Sequence, residues 1–136
     1  MSFLVDTDLL SLLERKQVPP ELATWIQDNE ADIFLSVVSF AELPFGLDRA
    51  PATHKASLAA WLAEIRRKLA PATEELTEPV LIRWKGLLAD LKVKNRTMTC
   101  EDSLIAATAL FHGHTVATHN KRHFEPAGVQ TVDPLA

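Results

Sequence analysis

Apolar and polar positions follow two rhythms along the chain, short unbroken apolar runs and longer stretches with helical spacing. Phe3-Leu4-Val5 is a run of the first kind, as expected of a buried strand, and it meets Asp6-Thr7-Asp8 with no polar lead-out. Leu9-Leu10-Ser11-Leu12-Leu13 then opens a helix. Val18-Pro19-Pro20 breaks the pattern, and Pro20 suits the first turn of a second helix carrying Leu22, Trp25 and Ile26. Ile33-Phe34-Leu35-Ser36-Val37-Val38 is the clearest strand, rich in β-branched and aromatic residues. Ser39-Phe40-Ala41-Glu42 follows at once and has the S-x-x-E form of a capping box. It predicts a helix opening at Ser39 with Glu42 in its first turn, kept short by Gly46 and Pro51.

Thr53 to Leu69 reads as an amphipathic helix, with Leu58, Trp61, Leu62, Ile65 and Leu69 on one face and Arg66, Arg67 and Lys68 near the end where cations suit the dipole. The stretch from Ala70 to Glu78 has room for a short strand. Pro79 begins a further helix bearing Val80, Trp84, Leu87, Leu88 and Leu91. Thr99 to Phe111 is apolar on nearly every side beyond its first turn, which predicts a buried helix. Thr115 to Thr118 is a short strand, His119-Asn120-Lys121-Arg122-His123-Phe124 begins where it stops, and Val129 to Val132 is a last, outer strand. Alternating strands and helices predict an α/β fold, a three-layer α/β/α sandwich with a mostly parallel central sheet. No repeat or linker divides it, so residues 1–136 are expected to form one domain.

Composition narrows this picture only slightly. With 47% apolar and 24% charged residues the chain has the balance of an ordinary globular protein. The single cysteine, Cys100, excludes an internal disulfide, and no apolar run is long enough to span a bilayer. Cytoplasmic localisation is the simplest expectation. The net charge of −4 looks adverse to nucleic acid, yet five acids, Asp6, Asp8, Glu42, Glu101 and Asp102, are placed near one site; without them the balance is +1. Metal ions neutralising that cluster would leave a surface that need not repel phosphate. The basic stretch Lys85, Lys92, Lys94 and Arg96 fits a solvated helix face better than a groove for phosphates.

The acids carry the candidate chemistry. Asp6 follows the first strand and Glu42 the second, and parallel strands bring their carboxyl ends to one edge, where α/β sheets bind ligands. Asp102 opens the buried helix and joins them only through tertiary packing. Oxygen clusters of this kind hold Mg²⁺ or Mn²⁺, which activate water and offset charge in phosphoester hydrolysis. Each acid also has a plain structural role open to it: Asp6 or Asp8 as a helix cap, Glu42 closing the Ser39 box, Asp102 doing the same for Thr99. Asn120, at the end of another strand, is a fourth candidate or a simple turn residue. His119 and His123 flank it, and His112 and His114 around Gly113 read as a polar helix end. Scattered histidines and a cysteine without thiolate partners do not make a zinc pattern. Neither a phosphate-binding P-loop nor a serine-hydrolase elbow is present.

Four stretches together resemble the PIN-domain family, in particular toxins of the VapC type: Leu4-Val5-Asp6-Thr7-Asp8; Ser39-Phe40-Ala41-Glu42-Leu43 with Gly46; Glu101 to Ala109; and Ala117 to Phe124. The resemblance runs over essentially the whole chain. It implies an Mg²⁺- or Mn²⁺-dependent endoribonuclease, a VapB-like antitoxin as partner, and a homodimer within a larger toxin-antitoxin assembly. It also implies that Asp6, Glu42 and Asp102 are acidic metal-binding positions, Asn120 a fourth site position, and Thr7 and Thr118 hydroxyls lining the site. RNA is the implied substrate, with tRNA the family-level expectation. Four features depart from the pattern: Asp8 stands where Asn is common, Pro44 interrupts the helix expected after Glu42, the tail Asp133-Pro134-Leu135-Ala136 lacks the aromatic often found there, and Asn120 is neutral, which argues for one tightly held ion and leaves a second to arrive with substrate.

Two other functions compete. Asp6-Thr7-Asp8 is a D-x-D of the kind found in haloacid-dehalogenase phosphatases, although Leu10 stands where Thr or Val is normal. A non-catalytic module whose acidic pocket receives a partner's basic side chain is the third possibility.

Overall fold

The computed structural model describes residues 1–14, 17–49 and 51–136, with the backbone alone for 45–49. Its centre is a five-stranded sheet made of β1 (Phe3–Val5), β2 (Ile33–Ser36), β3 (Thr73–Glu74), β4 (Thr115–Ala117) and β5 (Thr131–Val132). The strands lie in the order β3-β2-β1-β4-β5, and every pairing is parallel. Parallel neighbours require crossovers; among the described residues six α-helices precede β4 and supply the earlier ones, α1 (Thr7–Ser11), α2 (Pro20–Asn29), α3 (Val37–Arg49), α4 (Ala52–Leu69), α5 (Glu78–Val93) and α6 (Cys100–His112), while two 3₁₀ turns lie between β4 and β5. The mostly parallel sheet expected from the sequence is therefore wholly parallel. Among the described residues no helix is long and apolar enough to cross a membrane.

Alternate residues of each strand feed two cores, as the two-residue period of a strand requires. Leu4 and Val116 face α5 and α6 and pack with Leu87, Leu91, Ile105 and Phe124. Phe3, Val5 and Ala117 face the other layer and pack with Leu9, Leu10, Leu22 and Leu35. Helix α6 lies close on the sheet because Ala106, Ala107 and Ala109 are small and fully buried.

Two expectations about α3 are corrected. The helix begins at Val37, because the Ser36 hydroxyl accepts the Val38 N–H at 3.0 Å and so caps it two residues early. Ser39 and Glu42 are then interior residues, not a capping box, and Glu42 lies in the second turn. Gly46 does not end the helix, which runs thirteen residues and stops at Arg49, ahead of Pro51. Pro44 sits inside it rather than in its first turn, and leaves the Phe40 carbonyl without its usual partner.

His112 and His114 are also more than a polar helix end. Gly113 closes α6 in the left-handed conformation at φ 76°, which turns His114 inward until it is 8% exposed. There its ring stacks on Phe34, with Nδ1 2.6 Å from the Ser2 hydroxyl and Nε2 3.1 Å from Glu74 Oε2. His112 Nε2 meets the same Glu74 oxygen at 3.0 Å. This cluster ties the starts of β1 and β4 to β3.

Candidate active site

Asp6 is held by the sheet it terminates: its N–H bonds the Ala117 carbonyl at 2.9 Å. It occupies the N-cap position of α1, but its carboxylate makes no capping hydrogen bond. Instead Oδ2 accepts the Thr118 hydroxyl at 2.7 Å, and Asp6 is 4% exposed. Burial raises its pKa from 3.8 to about 6; Asp8 and Asp102 push the same way, while Thr118 and the Asp8 amide oppose. A hydroxyl just beyond the end of β4 thus holds a carboxylate that the fold has largely withdrawn from water.

Glu42 reaches the site from α3. Its Oε1 accepts the Thr7 hydroxyl at 2.7 Å, and Thr7 Oγ1 lies 2.8 Å from Ser39 Oγ. A hydroxyl has one proton. Since that of Thr7 goes to Glu42, Ser39 donates to Thr7, and the chain Ser39 to Thr7 to Glu42 fixes the carboxylate. Burial raises the Glu42 pKa, and Glu101, Asp102 and Asp8 add to it against the pull of Thr7. Replacing Thr7 by Val should leave the fully buried Ser39 hydroxyl without this acceptor. The expected loss is about 1–3 kcal/mol of stability in urea denaturation, with a Glu42 pKa that rises further; an unchanged urea midpoint would show the chain to be incidental.

Asp102 stands in the first turn of α6, whose cap is the Thr99 hydroxyl accepting the Asp102 N–H at 3.1 Å. Burial raises its pKa as well, with Asp8 and Glu101 repelling and Thr99 and His123 opposing. His123 Nδ1 is 3.6 Å from Asp102 Oδ2. Asp8 is exposed and accepts Asn120 Nδ2 at 3.3 Å. Asn120 in turn gives its N–H to Thr118 Oγ1 at 2.9 Å, so one hydroxyl orders Asp6 and Asn120 together. His119 is drawn away to Asp133, 3.0 Å from its Nδ1. Cys100, exposed at the first residue of α6, takes no part.

The five acids singled out in the sequence therefore act on one another from one edge of the sheet. Among the described residues no three acidic, histidine or cysteine side chains converge tightly enough to enclose an ion by themselves. Magnesium does not demand that, since it keeps several waters and binds through one or two carboxylates. Asp6, Glu42 and Asp102, hard oxygen donors with raised pKa values, fit such an ion. Sequence reasoning missed Ser39 as the far end of the Thr7 chain and His123 as the neighbour of Asp102; the i, i+3 spacing of Ser39 and Glu42 was visible but pointed to a cap.

An all-parallel sheet with an acidic cluster at its carboxyl edge defines the class of protein. The PIN domain model matches residues 3–129, and the chain belongs to that family. Within it the chain is related to the VapC toxin ribonucleases. It is 28% identical over 135 residues to VapC ribonuclease Y4jK of Sinorhizobium fredii, covering 96% of this chain and 95% of that one. It is 28% identical over 125 residues to Ribonuclease VapC1 of Rickettsia felis, covering 92% and 90%. The crystal structure of FitAcB from Neisseria gonorrhoeae superposes with a TM-score of 0.87 at 28% identity, covering 97% of each chain.

Proposed function

We propose that this protein is a VapC-type endoribonuclease, the toxin of a toxin-antitoxin pair, that hydrolyses RNA phosphodiesters with Mg²⁺ or Mn²⁺ held by Asp6, Glu42 and Asp102. The observation that carries the reading is that three acids, one directly after β1 and one each on α3 and α6, stand at one sheet edge with raised pKa values, Asp102 repelling both Asp6 and Glu42. Folding does not place such a cluster for its own stability. When bound, the ion activates water and offsets the charge that develops on the phosphate oxygens. The chain's own residues orient the ligands. Thr118 holds Asp6, the Ser39–Thr7 pair holds Glu42, and Thr99 fixes the turn that presents Asp102. Asn120 holds Asp8 at the rim. The products would be a 5′-phosphate and a 3′-hydroxyl, with tRNA the substrate class. PIN membership sets aside the dehalogenase-type phosphatase.

A VapB-like antitoxin is the proposed partner. The cleft bounded by Leu43, Leu58 and Trp61 offers an apolar seat of about 320 Å³ beside Glu14 and His54. It suits an apolar segment of such a partner, and a homodimer within the complex and a cytoplasmic setting complete the reading.

Purified protein should cut RNA in Mn²⁺ or Mg²⁺, stop in EDTA and recover when the ion is restored. The rate should climb with pH through the region near 6, because Asp6 must shed its proton before it can serve as a ligand. Undiminished cutting in EDTA would overturn the proposal.

A further inference from the structure

A cleft of about 390 Å³ is lined by Thr97, Met98 and Thr99 on one side, by Arg122 and His123 on the other, and by Asp102 of the acid cluster. That volume lies in the range of small-molecule sites, roughly 300–1,000 Å³. Both walls are fixed by backbone geometry. Asn95 adopts φ 54°, a left-handed conformation that asparagine tolerates, and ends α5 in a tight turn. The Asn95 N–H bonds the Lys92 carbonyl at 3.2 Å and the Arg96 N–H bonds that of Leu91 at 2.9 Å. The Thr99 cap then starts α6 four residues later. The opposite wall is a 3₁₀ turn, Lys121–His123, pinned by Phe124, which is completely buried.

The same turn borders a second cleft, of about 290 Å³, lined by His119, Asn120, Lys121, Arg122, His123 and Asp133. Arg122 and His123 therefore stand on a ridge between two recesses, one containing Asp102 and the other Asn120. Among the described residues neither Lys121 nor Arg122 is paired with a carboxylate, though acids lie close by. An exposed guanidinium left unpaired beside a site for a polyanion is placed to bind phosphate, in two parallel hydrogen bonds. The basic stretch Lys92, Lys94 and Arg96 leads directly into the Thr97–Thr99 wall. This gives that stretch a use beyond solvation.

Resting on the ribonuclease reading, we propose that the cleft between Thr97–Thr99 and Arg122–His123 seats one nucleotide of the RNA strand next to the bond that is cut. Arg122 grips its phosphate, Met98 packs against its base, and the Thr97 hydroxyl faces its ribose. A strand held this way crosses the ridge and places the following phosphate over the acids. The cleft thereby selects sequence at one position, whereas Arg122 supplies affinity without selecting.

The test measures RNA cleavage and binding by the full chain with three single variants, Arg122→Ala, Arg122→Lys and Met98→Ala, and with Arg83→Ala as a control for lost charge elsewhere on the surface. Arg122→Ala should raise KM about tenfold with kcat little changed, as the loss of uniform binding requires. Its slope of log affinity against log salt should become shallower by about 0.7, the share of one phosphate contact on a single strand. Arg122→Lys should recover part of the affinity, and Met98→Ala should flatten the base preference at one position flanking the cut. Arg122→Ala with an unaltered KM and salt slope, or a loss confined to kcat, would overturn the seat while leaving the ribonuclease standing. Wild-type protein that neither binds nor cuts RNA in Mn²⁺ would remove both.

Discussion

Asp6→Asn should abolish metal-dependent RNA cleavage and, at neutral pH, make the protein more stable. Loss of a metal ligand costs at least the roughly hundredfold at the upper end of the range for outer-shell partners, so cleavage should fall by about that much or more. The stability gain follows from the direction of the Asp6 shift. Its pKa is raised from 3.8 to about 6 in the folded protein, so between those values the folded state binds more protons than the unfolded one. Stability therefore falls as pH rises through that window, and the loss is complete above it. A shift of about two units corresponds to at most roughly 3 kcal/mol. Asparagine keeps an oxygen for the Thr118 hydroxyl and carries no charge. The variant should therefore match wild type near pH 4 and melt higher at pH 7, by thermal denaturation. A variant that melts no higher at pH 7 would show that Asp6 is not strained; one that still cuts RNA would remove it from the metal site.

The second large effect lies in the core beneath the site. Phe124 is completely buried with Leu4, Ile105 and Val116, and it follows the 3₁₀ turn that carries Arg122 and His123. Phe124→Ala should cost about 3–5 kcal/mol, the range for emptying a buried aromatic site. That is a large part of the roughly 5–15 kcal/mol total of a domain. The urea midpoint should drop accordingly, and cleavage should weaken even where the variant is folded, because Asn120 and the ridge lose their anchor. A drop worth less than about 1 kcal/mol would mean that the surrounding side chains collapse into the space.

Strand β1, the burial of α6 and the acids themselves were legible because each rests on a local pattern, an apolar run ended by charge or a helix without a polar face. The start of α3 was not. Ser39-x-x-Glu42 has the form of a capping box, but Ser36 caps the helix first, and both residues then became links in a tertiary chain through Thr7. The sequence motif was sound chemistry applied to the wrong partner. Pro44 likewise argued for a break that the helix does not make. His114 could not have been placed from its neighbours, since the groups that hold it, Ser2 and Glu74, are 112 and 40 residues away. Asp102 could be suspected from sequence, yet its approach to Asp6 depends on the alanines that let α6 lie close to the sheet.

Cys100 is the chain's sole thiol, it is exposed, and it begins the helix whose cap forms one wall of the Thr97–Thr99 cleft. A fluorophore or spin label can thus be attached two positions from Asp102 without mutagenesis. The molecule comes with a built-in reporter for whatever enters beside its acids.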